Sequence, residues 1–389
     1  MGQLPTGRGG NARPDGGGER AQRRGCACTP ALAEGGDSIA EVFTEGDLLY
    51  EAMLRSISAA RHSVYMESYI FADDEIGWPF AKALAERARA GVDVRVHLDA
   101  AGFLIWGSGR LRRYLCDSGV GLKFFHRWRW CQPLRYNRRN HRKLLVADTL
   151  HAYIGGFNIH RVNSRCVYGR RRWRDTHVRV CGDLAAQAAE LFRAFWLRER
   201  RLPHHAPGTA SVLVPNFPRN CRMRLRCLYA DMIAGAQRTL YVSTPYFAPD
   251  RGVQRKLIAA ARRGVDVRLL LPCKSDVRFA GWATRAAYGT LLAGGVRVYE
   301  YLPRMLHTKT AVADDNYVTI GTANLDRRSF FLDYELNVFT RDRELSRQLG
   351  EQFREDLSQA RELDAESWGR RHWHSHLAET VGWLARRWL

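Results

Sequence analysis

What the chain lacks narrows it first. No stretch approaches the ~18 consecutive apolar residues that a bilayer crossing requires. No apolar segment near the start has the form of a secretory signal. The sequence therefore reads as a soluble or membrane-peripheral protein. Acidic residues are scarce, with 40 Asp and Glu against 61 Lys and Arg, a formal net charge of +21 and a pI near 10.1. That balance calls for an anionic partner, either nucleic acid or anionic lipid. No His-Glu-x-x-His pattern, cluster of acids or Cys/His tetrad is present, so no metal and no cofactor is expected. The nine cysteines (26, 28, 116, 131, 166, 181, 221, 227 and 273) are odd in number and scattered, which suits reduced thiols. Cys26 and Cys28 have no second pair with which to build a zinc site.

What is present is a repeat. His141 to Asn158 reads HRKLLVADTLHAYIGGFN, and His307 to Asn324 reads HTKTAVADDNYVTIGTAN. A single offset of 166 superposes His141 on His307, Lys143 on Lys309, Asp148 on Asp314, Gly155 on Gly321 and Asn158 on Asn324. The period is too long for a solenoid, so the chain is two fused copies of one domain. Within each copy His and Lys, two residues apart in an apolar run, lie on one face of a strand. The Asp follows at an odd separation, just before turn-like residues. Parity places it off the His/Lys face at a hairpin bend, in a positioning role. The Asn is expected to end the return strand, after glycines that let backbone approach a ligand.

Each copy thus offers an imidazole, an ammonium and an amide. Two copies face to face supply what metal-free phosphodiester chemistry needs. One His attacks phosphorus, the other protonates the leaving oxygen, and lysines and amides hold the phosphoryl oxygens.

Strands alternate with helices along the chain, which argues α/β. The stretch 48–60 has helical apolar spacing, and VYMESYIF (64–71) reads as a buried strand. A helix over 79–90 leads through Gly91 into the strand VDVRVHLD. The second half repeats this with LYVSTPYF (240–247), a helix to Arg263, Gly264 and VDVRLLLP. An amphipathic helix over 185–198 closes the first half. The expected divisions are a disordered Gly/Arg-rich tail over 1–37, a first half over 38–200 and a linker over 201–212. A second half over 213–362 and a basic amphipathic helix over 363–389 complete the chain.

Charge and aromatics are uneven. Residues 110–179 hold eighteen Arg and Lys against three Asp and Glu, so +15 of the +21 surrounds the first motif. The stretch 104–133, with Trp106, Phe124, Phe125, Trp128 and Trp130, fits either a core with a basic rim or a lipid-facing rim. At the end Trp373, Leu377, Val381, Leu384 and Trp388 share one helical face. That face suits docking on the body or lying on an anionic bilayer.

Twice-repeated H-x-K-x4-D, each followed by Gly-Gly or Gly-Thr and then Asn, resembles the phospholipase D superfamily. NRRNHRKLLVAD, YIGGFNIH, WRDTHV, STPYFAPD and IGTANLDRRSF narrow the resemblance to bacterial cardiolipin synthases of the type lacking transmembrane helices, over about residues 38 to 389. It implies two fused phospholipase D-like α/β/α sandwich repeats with the active site at their interface. It implies catalytic roles for His141, Lys143, Asp148, His307, Lys309 and Asp314, with Asn158 and Asn324 supporting the substrate phosphate. It further implies that Glu335 contacts His141 and Asp175 contacts His307, each acid serving the other half's imidazole. An acid salt-bridged to one of its Arg neighbours is the other reading of Asp175. The sequence departs from the family pattern in LDYE (332–335), where an Asn is expected at 333.

The implied reaction joins two phosphatidylglycerols into cardiolipin and releases glycerol, through a phosphohistidine, at the cytoplasmic face of the membrane. With water as acceptor the same site is a phospholipase D. Cleavage of nucleic acid fits less well, since both copies keep the Asp that end-processing nucleases tend to lack, and no RNP-type stacking signature is present.

Overall fold

The computed structural model describes residues 32–33, 39–126, 137–199, 209–216, 224–371, 379–382 and 384. The tail expected over 1–37 lies almost wholly outside them, as do Trp128, Trp130, Trp373, Leu377 and Trp388.

Each half is built on one mixed sheet. In the first half the strands are β1 (Ile39–Phe43), β2 (Ser63–Ser68), β3 (Asp93–Asp99), β4 (Gly121–Phe125), β5 (Leu144–Ala147), β6 (His151–Gly155) and β7 (His177–Cys181). They lie in the order β1-β7-β6-β5-β2-β3-β4. The second half has β8 (Ser211–Pro215), β9 (Thr239–Ser243), β11 (Asp266–Pro272), β12 (Arg297–Tyr301), β13 (Thr310–Ala313), β14 (Tyr317–Gly321), β16 (Leu336–Thr340) and β17 (Ala360–Glu362). Their order, β8-β16-β14-β13-β9-β11-β12-β17, repeats the first sheet and adds one edge strand. A short pair, β10 (Phe247–Ala248) with β15 (Leu325–Asp326), stands apart. Ser211 and Val212 are thus strand residues of the second sheet, where a linker was expected.

Local chemistry explains the matched halves. In the helix Gly46–Ala59, Leu49, Met53 and Ile57 are buried at i, i+4 and i+8, so one stripe faces the core. The helices Gly77–Arg89 and Arg251–Arg262 are followed by Gly91 and Gly264, at φ 86° and 92°. Glycine adopts that left-handed turn without a side-chain clash, and it aims the chain into β3 and β11. These three-strand parallel units, β2-β3-β4 and β9-β11-β12, carry the motif hairpins β5-β6 and β13-β14 on their flank.

Every residue of β5 is buried, because both faces of the sheet are covered. Leu145 and Ala147 pack into the first half's own core. Leu144 and Val146 turn the other way, into a core shared with Leu213, Val312, Ile320, Leu336 and Val338 of the second half. The helices Asp183–Trp196 and Arg343–Ser358 complete that shared layer. The two sheets are therefore locked face to face, which fixes the geometry between the motifs. No helix among the described residues is long and apolar enough to cross a membrane.

Candidate active site

Both His-x-Lys segments lie one step ahead of their strands. β5 begins at Leu144 and β13 at Thr310, so His141, Lys143, His307 and Lys309 occupy extended lead-ins. The lead-ins pair across the halves instead of within their own sheet. Tyr334 N donates to Arg139 O at 2.9 Å, and His141 N donates to Tyr334 O at 2.9 Å. Reciprocally, Arg174 N donates to Met305 O at 2.8 Å and His307 N to Arg174 O at 2.7 Å. The segment ending in Glu335 is thereby zipped to His141, and the segment ending in Asp175 to His307.

The side chains meet accordingly. His141 Nδ1 lies 3.1 Å from each oxygen of Glu335, and His307 Nδ1 lies 2.5 Å from Asp175 Oδ2. An acceptor at Nδ1 fixes the proton there and leaves Nε2 with the lone pair. Asp175 also accepts from Thr176 N at 2.8 Å, and Arg174 pairs instead with Asp356 at 2.8 Å. The alternative of an Arg-paired Asp175 thus does not describe this site. Glu335 is held by the hydroxyls of Thr322 at 2.5 Å and Ser329 at 2.7 Å.

The lysines fold back on the same histidines. Lys143 Nζ donates to His141 O at 2.8 Å. Lys309 Nζ donates to His307 O and lies 2.9 Å from His307 Nδ1. Burial, then Lys143, pushes His141 down to about 4. Burial, then Lys309, also lowers His307. Lys309 further depresses His141, and Lys143 depresses His307. The two constellations therefore share one electrostatic site. Burial opposes ionisation of both acids, but Lys309 and His307 hold Asp175 below its ordinary value, and His141 does the same for Glu335. Neutral imidazoles on anionic partners, beside two lysine amines, form an arrangement suited to an anionic phosphodiester.

Burial first and Lys309 second bring Lys143 down to about 7. An amine is charged below its pKa, so the positive charge fades as pH rises through that value. If Lys143 holds the phosphate, kcat/KM should fall on the alkaline side of about pH 7, since it reports the free enzyme. Lys143→Arg should move that fall to higher pH. A profile flat from about pH 6 to about pH 9 in the native protein contradicts this role.

Asp148 and Asp314 stand elsewhere. β5 carries the chain away from His141, and seven residues of extended backbone span about 23 Å. Both lie at the hairpin bend with φ of 50° and 53°. Asp148 accepts from the backbone N–H groups of Arg61, His62 and Ser63 at 2.7–2.8 Å. Asp314 does the same for Gln237, Arg238 and Thr239 at 2.7–3.0 Å. The inclusion of these two aspartates among catalytic residues therefore gives way to the positioning role that strand parity implies: they tie the hairpin to the start of β2 or β9. Asp148→Asn keeps the shape and tolerates positive φ, so it isolates the charge. We expect it to cost about 1–3 kcal/mol of stability near neutral pH with kcat per folded molecule unchanged. The backbone N–H groups lower Asp148's pKa despite burial. Its contribution is thus present above the unfolded value of about 4 and is lost on acidification, so the gap between native and variant should close there. Chemical denaturation at two pH values checks this.

The glycines and asparagines differ from expectation. A Cβ on Gly155 would lie 2.5 Å from Thr176 O, and one on Gly321 2.4 Å from Leu336 O. The close approach is to the neighbouring strand, not to a ligand. A Cβ on Gly156 would lie 2.0 Å from Asp175 Oδ1, so Gly156 makes room for that carboxylate. Asn158 and Asn324 lie three residues beyond β6 and β14, in loops, not at the strand ends. Asn158 Oδ1 accepts from Ile70 N at 3.2 Å, which orients its amide. Asn324 N donates to Ser329 Oγ at 3.0 Å, and its Oδ1 is buried without a protein partner.

Asp333, where the family pattern implies Asn, is also accounted for. Its carboxyl accepts from Arg139 N at 3.2 Å and Arg328 Nε at 3.0 Å, tying the His141 lead-in to the second half. Burial pushes its pKa well up, against Arg328.

Aromatic rings flank both imidazoles. The ring of Tyr69 sits edge-on to His141 at 5.3 Å, and Trp173 and Tyr246 lie 5.1 and 6.4 Å from His307. Tyr69, Trp173 and Tyr246 belong to VYMESYIF, WRDTHV and STPYFAPD, but only the fold shows which aromatic faces an imidazole.

Two halves of matched topology, each lending a histidine, a lysine and an acid to one cleft, define a protein of two phospholipase D-like domains. The chain belongs to the family described as cardiolipin synthase, PLD-like domain, whose model matches residues 53–196 and 229–357. It is a phosphatidyltransferase. Cardiolipin synthase 2 of Bacillus cereus is 33% identical over 355 residues, covering 87% of this chain and 68% of that protein. The major cardiolipin synthase ClsA of Bacillus subtilis is 33% identical over 370 residues, covering 90% and 75%. Among solved structures, phosphatidylserine synthase of Haemophilus influenzae shares the fold, with a TM-score of 0.68, 16% identity and coverage of 92% and 94%.

Proposed function

We propose that the chain makes cardiolipin from two phosphatidylglycerols, as a peripheral enzyme on the cytoplasmic face of the membrane. The observation that carries the reading is the reciprocal one: Glu335 on His141 and Asp175 on His307, each acid reaching across to the other half.

The first step forms a bond from one histidine Nε2 to the phosphatidyl phosphorus and breaks the bond from phosphorus to the glycerol oxygen. The other histidine, protonated at Nε2, gives its proton to that oxygen, and glycerol leaves. Its imidazole, now neutral, takes the proton from the terminal hydroxyl of a second phosphatidylglycerol. That oxygen attacks phosphorus, the P–N bond breaks, and cardiolipin forms with both histidines restored. Lys143 and Lys309 stabilise the phosphorane's added negative charge. Both histidines are depressed in the free protein, so the bound phosphodiester anion restores the proton to the one that does not attack.

The test is product analysis. Purified protein with phosphatidylglycerol vesicles should yield cardiolipin and glycerol in equal amounts by mass spectrometry. Phosphatidic acid as the main product shows water to be the acceptor and overturns the transfer reading in favour of hydrolysis. Cleavage of single-stranded DNA with no lipid product overturns both.

A further inference from the structure

Each half carries a short helix beyond the carboxyl end of its third core strand, immediately after β3 in the first half and five residues after β11 in the second. In the first half this is Ala100–Trp106, in the second Arg278–Arg285. Their apolar residues are unusually bare. Leu104, Ile105 and Trp106 are 77%, 67% and 44% exposed, and Val277 and Phe279 are 40% and 52% exposed. Single exposed apolar side chains are ordinary on a protein surface, but three in succession are not.

Both tips are fastened to the site. Asp99, which caps the first helix, accepts from Asn140 N at 2.8 Å, one residue before His141. Gly102 packs on the carbonyl of Tyr69, the residue whose ring abuts His141. Trp106 O accepts from Asp73 N at 2.8 Å, and its indole packs on His160 at 4.6 Å. Phe103 turns inward against Phe124, so Leu104 and Ile105 are held outward by an anchored helix. On the other side Tyr246, which faces His307, donates its hydroxyl to Asp276 at 2.7 Å, the residue before Val277. Phe279 meets Trp282 edge-on at 5.1 Å.

Exposed cations outnumber acids near both tips in the sequence: Arg110, Arg112 and Arg113 on the helix Gly109–Asp117, and Lys274 and Arg278 near Phe279, against Asp73, Asp117 and Asp276. A second copy of so basic a chain is a poor occupant, because like charges would face each other. An anionic bilayer meets both demands, since its acyl region takes the apolar tips and its headgroups take the cations.

We infer that the tips at Leu104–Trp106 and Val277–Phe279 are a two-point docking surface, one per half, that seats the mouth of the site on an anionic lipid bilayer. This rests on the phosphatidyltransferase reading and adds the surface that delivers membrane-held substrate to it. Amphipathic segments enter the headgroup boundary by about 5–10 Å, the zone that holds lipid phosphates.

The test uses the full chain carrying Leu104→Ser, Ile105→Ser and Phe279→Ser, none of which touches the histidines or lysines. Two quantities are measured. One is co-sedimentation with phosphatidylglycerol/phosphatidylcholine vesicles, and the other is turnover of a short-chain phosphatidylglycerol below its micelle concentration. Vesicle partition should fall about tenfold or more, with the melting temperature and the short-chain turnover unchanged. A folded variant that sediments with vesicles as well as the native chain overturns the inference. So does a native dimer that the substitutions dissociate, since the face is then a subunit contact. If the triple variant misfolds, Ile105→Ser and Phe279→Ser singly carry the same test. Absence of any product from the short-chain substrate with the native chain defeats the transferase reading instead, and the vesicle arm still reads the surface on its own.

Discussion

His141→Ala and His307→Ala should each lower kcat by about 10³-fold or more, while leaving the protein folded. The two halves contribute unlike tasks to each turnover, so one intact copy has no route around the loss of the other. Without the attacking imidazole no P–N bond forms. Without its partner, glycerol must leave as an alkoxide and the acceptor hydroxyl keeps its proton. Both histidines reach the site from extended lead-ins whose backbone bonds, His141 N to Tyr334 O and His307 N to Arg174 O, do not depend on the imidazole. Alanine should therefore remove chemistry and leave architecture. Single-turnover measurement on phosphatidylglycerol, with circular dichroism to confirm folding, checks it. Near-native turnover in either variant contradicts the composite site.

The second large effect belongs to the acids. Asp175→Asn and Glu335→Gln should each cost about 10²–10⁴-fold in kcat, as loss of the orienting carboxylate does when it leaves an imidazole in the wrong tautomer. Asp175 sits in the space Gly156 leaves for it, so Asn fits, but its amide can present a donor to His307 Nδ1. That would move the ring proton to Nε2 and silence the nucleophile. Glu335 accepts from His141, Thr322 and Ser329 together, and a Gln amide puts a donor among three donors. Thr322 and Ser329 can rotate to accept, so the Gln variant should fold and lose less than the Asn variant. These carboxylates position the histidines without touching substrate. The distinguishing readout is the pH profile, whose histidine limb should shift in the variants, while KM for phosphatidylglycerol stays near native. A change in KM alone contradicts the positioning role.

Much of this was legible in the sequence because the motif repeats. One offset identified two domains, and strand parity placed Asp148 and Asp314 at bends away from the imidazoles. The echo of AGVDVRV in RGVDVRL marked β3 and β11 and the helix-ending glycines before them. Other features were not legible, for physical reasons. The pairing of His141 with Tyr334 is a contact between residues 193 positions apart, which no local periodicity encodes. The loop from Gly155 to Asp175 is six residues longer than that from Gly321 to Glu335, so the single offset fails where the acids lie. The His-x-Lys segments alternate like strands but bond to the other half, which is why the ladders begin later than their pattern implies. Gly155 and Gly321 serve packing against a neighbouring strand, and only the register of β6 on β7 and of β14 on β16 reveals that.

The central claim is that His141 and His307 act as one unit in one site, and a double-mutant cycle tests it most directly. Turnover of phosphatidylglycerol is measured for the native chain, each single His→Ala variant and the variant lacking both. Groups that act as a unit are strongly non-additive. The account predicts that the double variant is no slower than the slower single variant. Losses that multiply, so that the double variant falls by the product of the two single effects, would mean two independent sites and would contradict it.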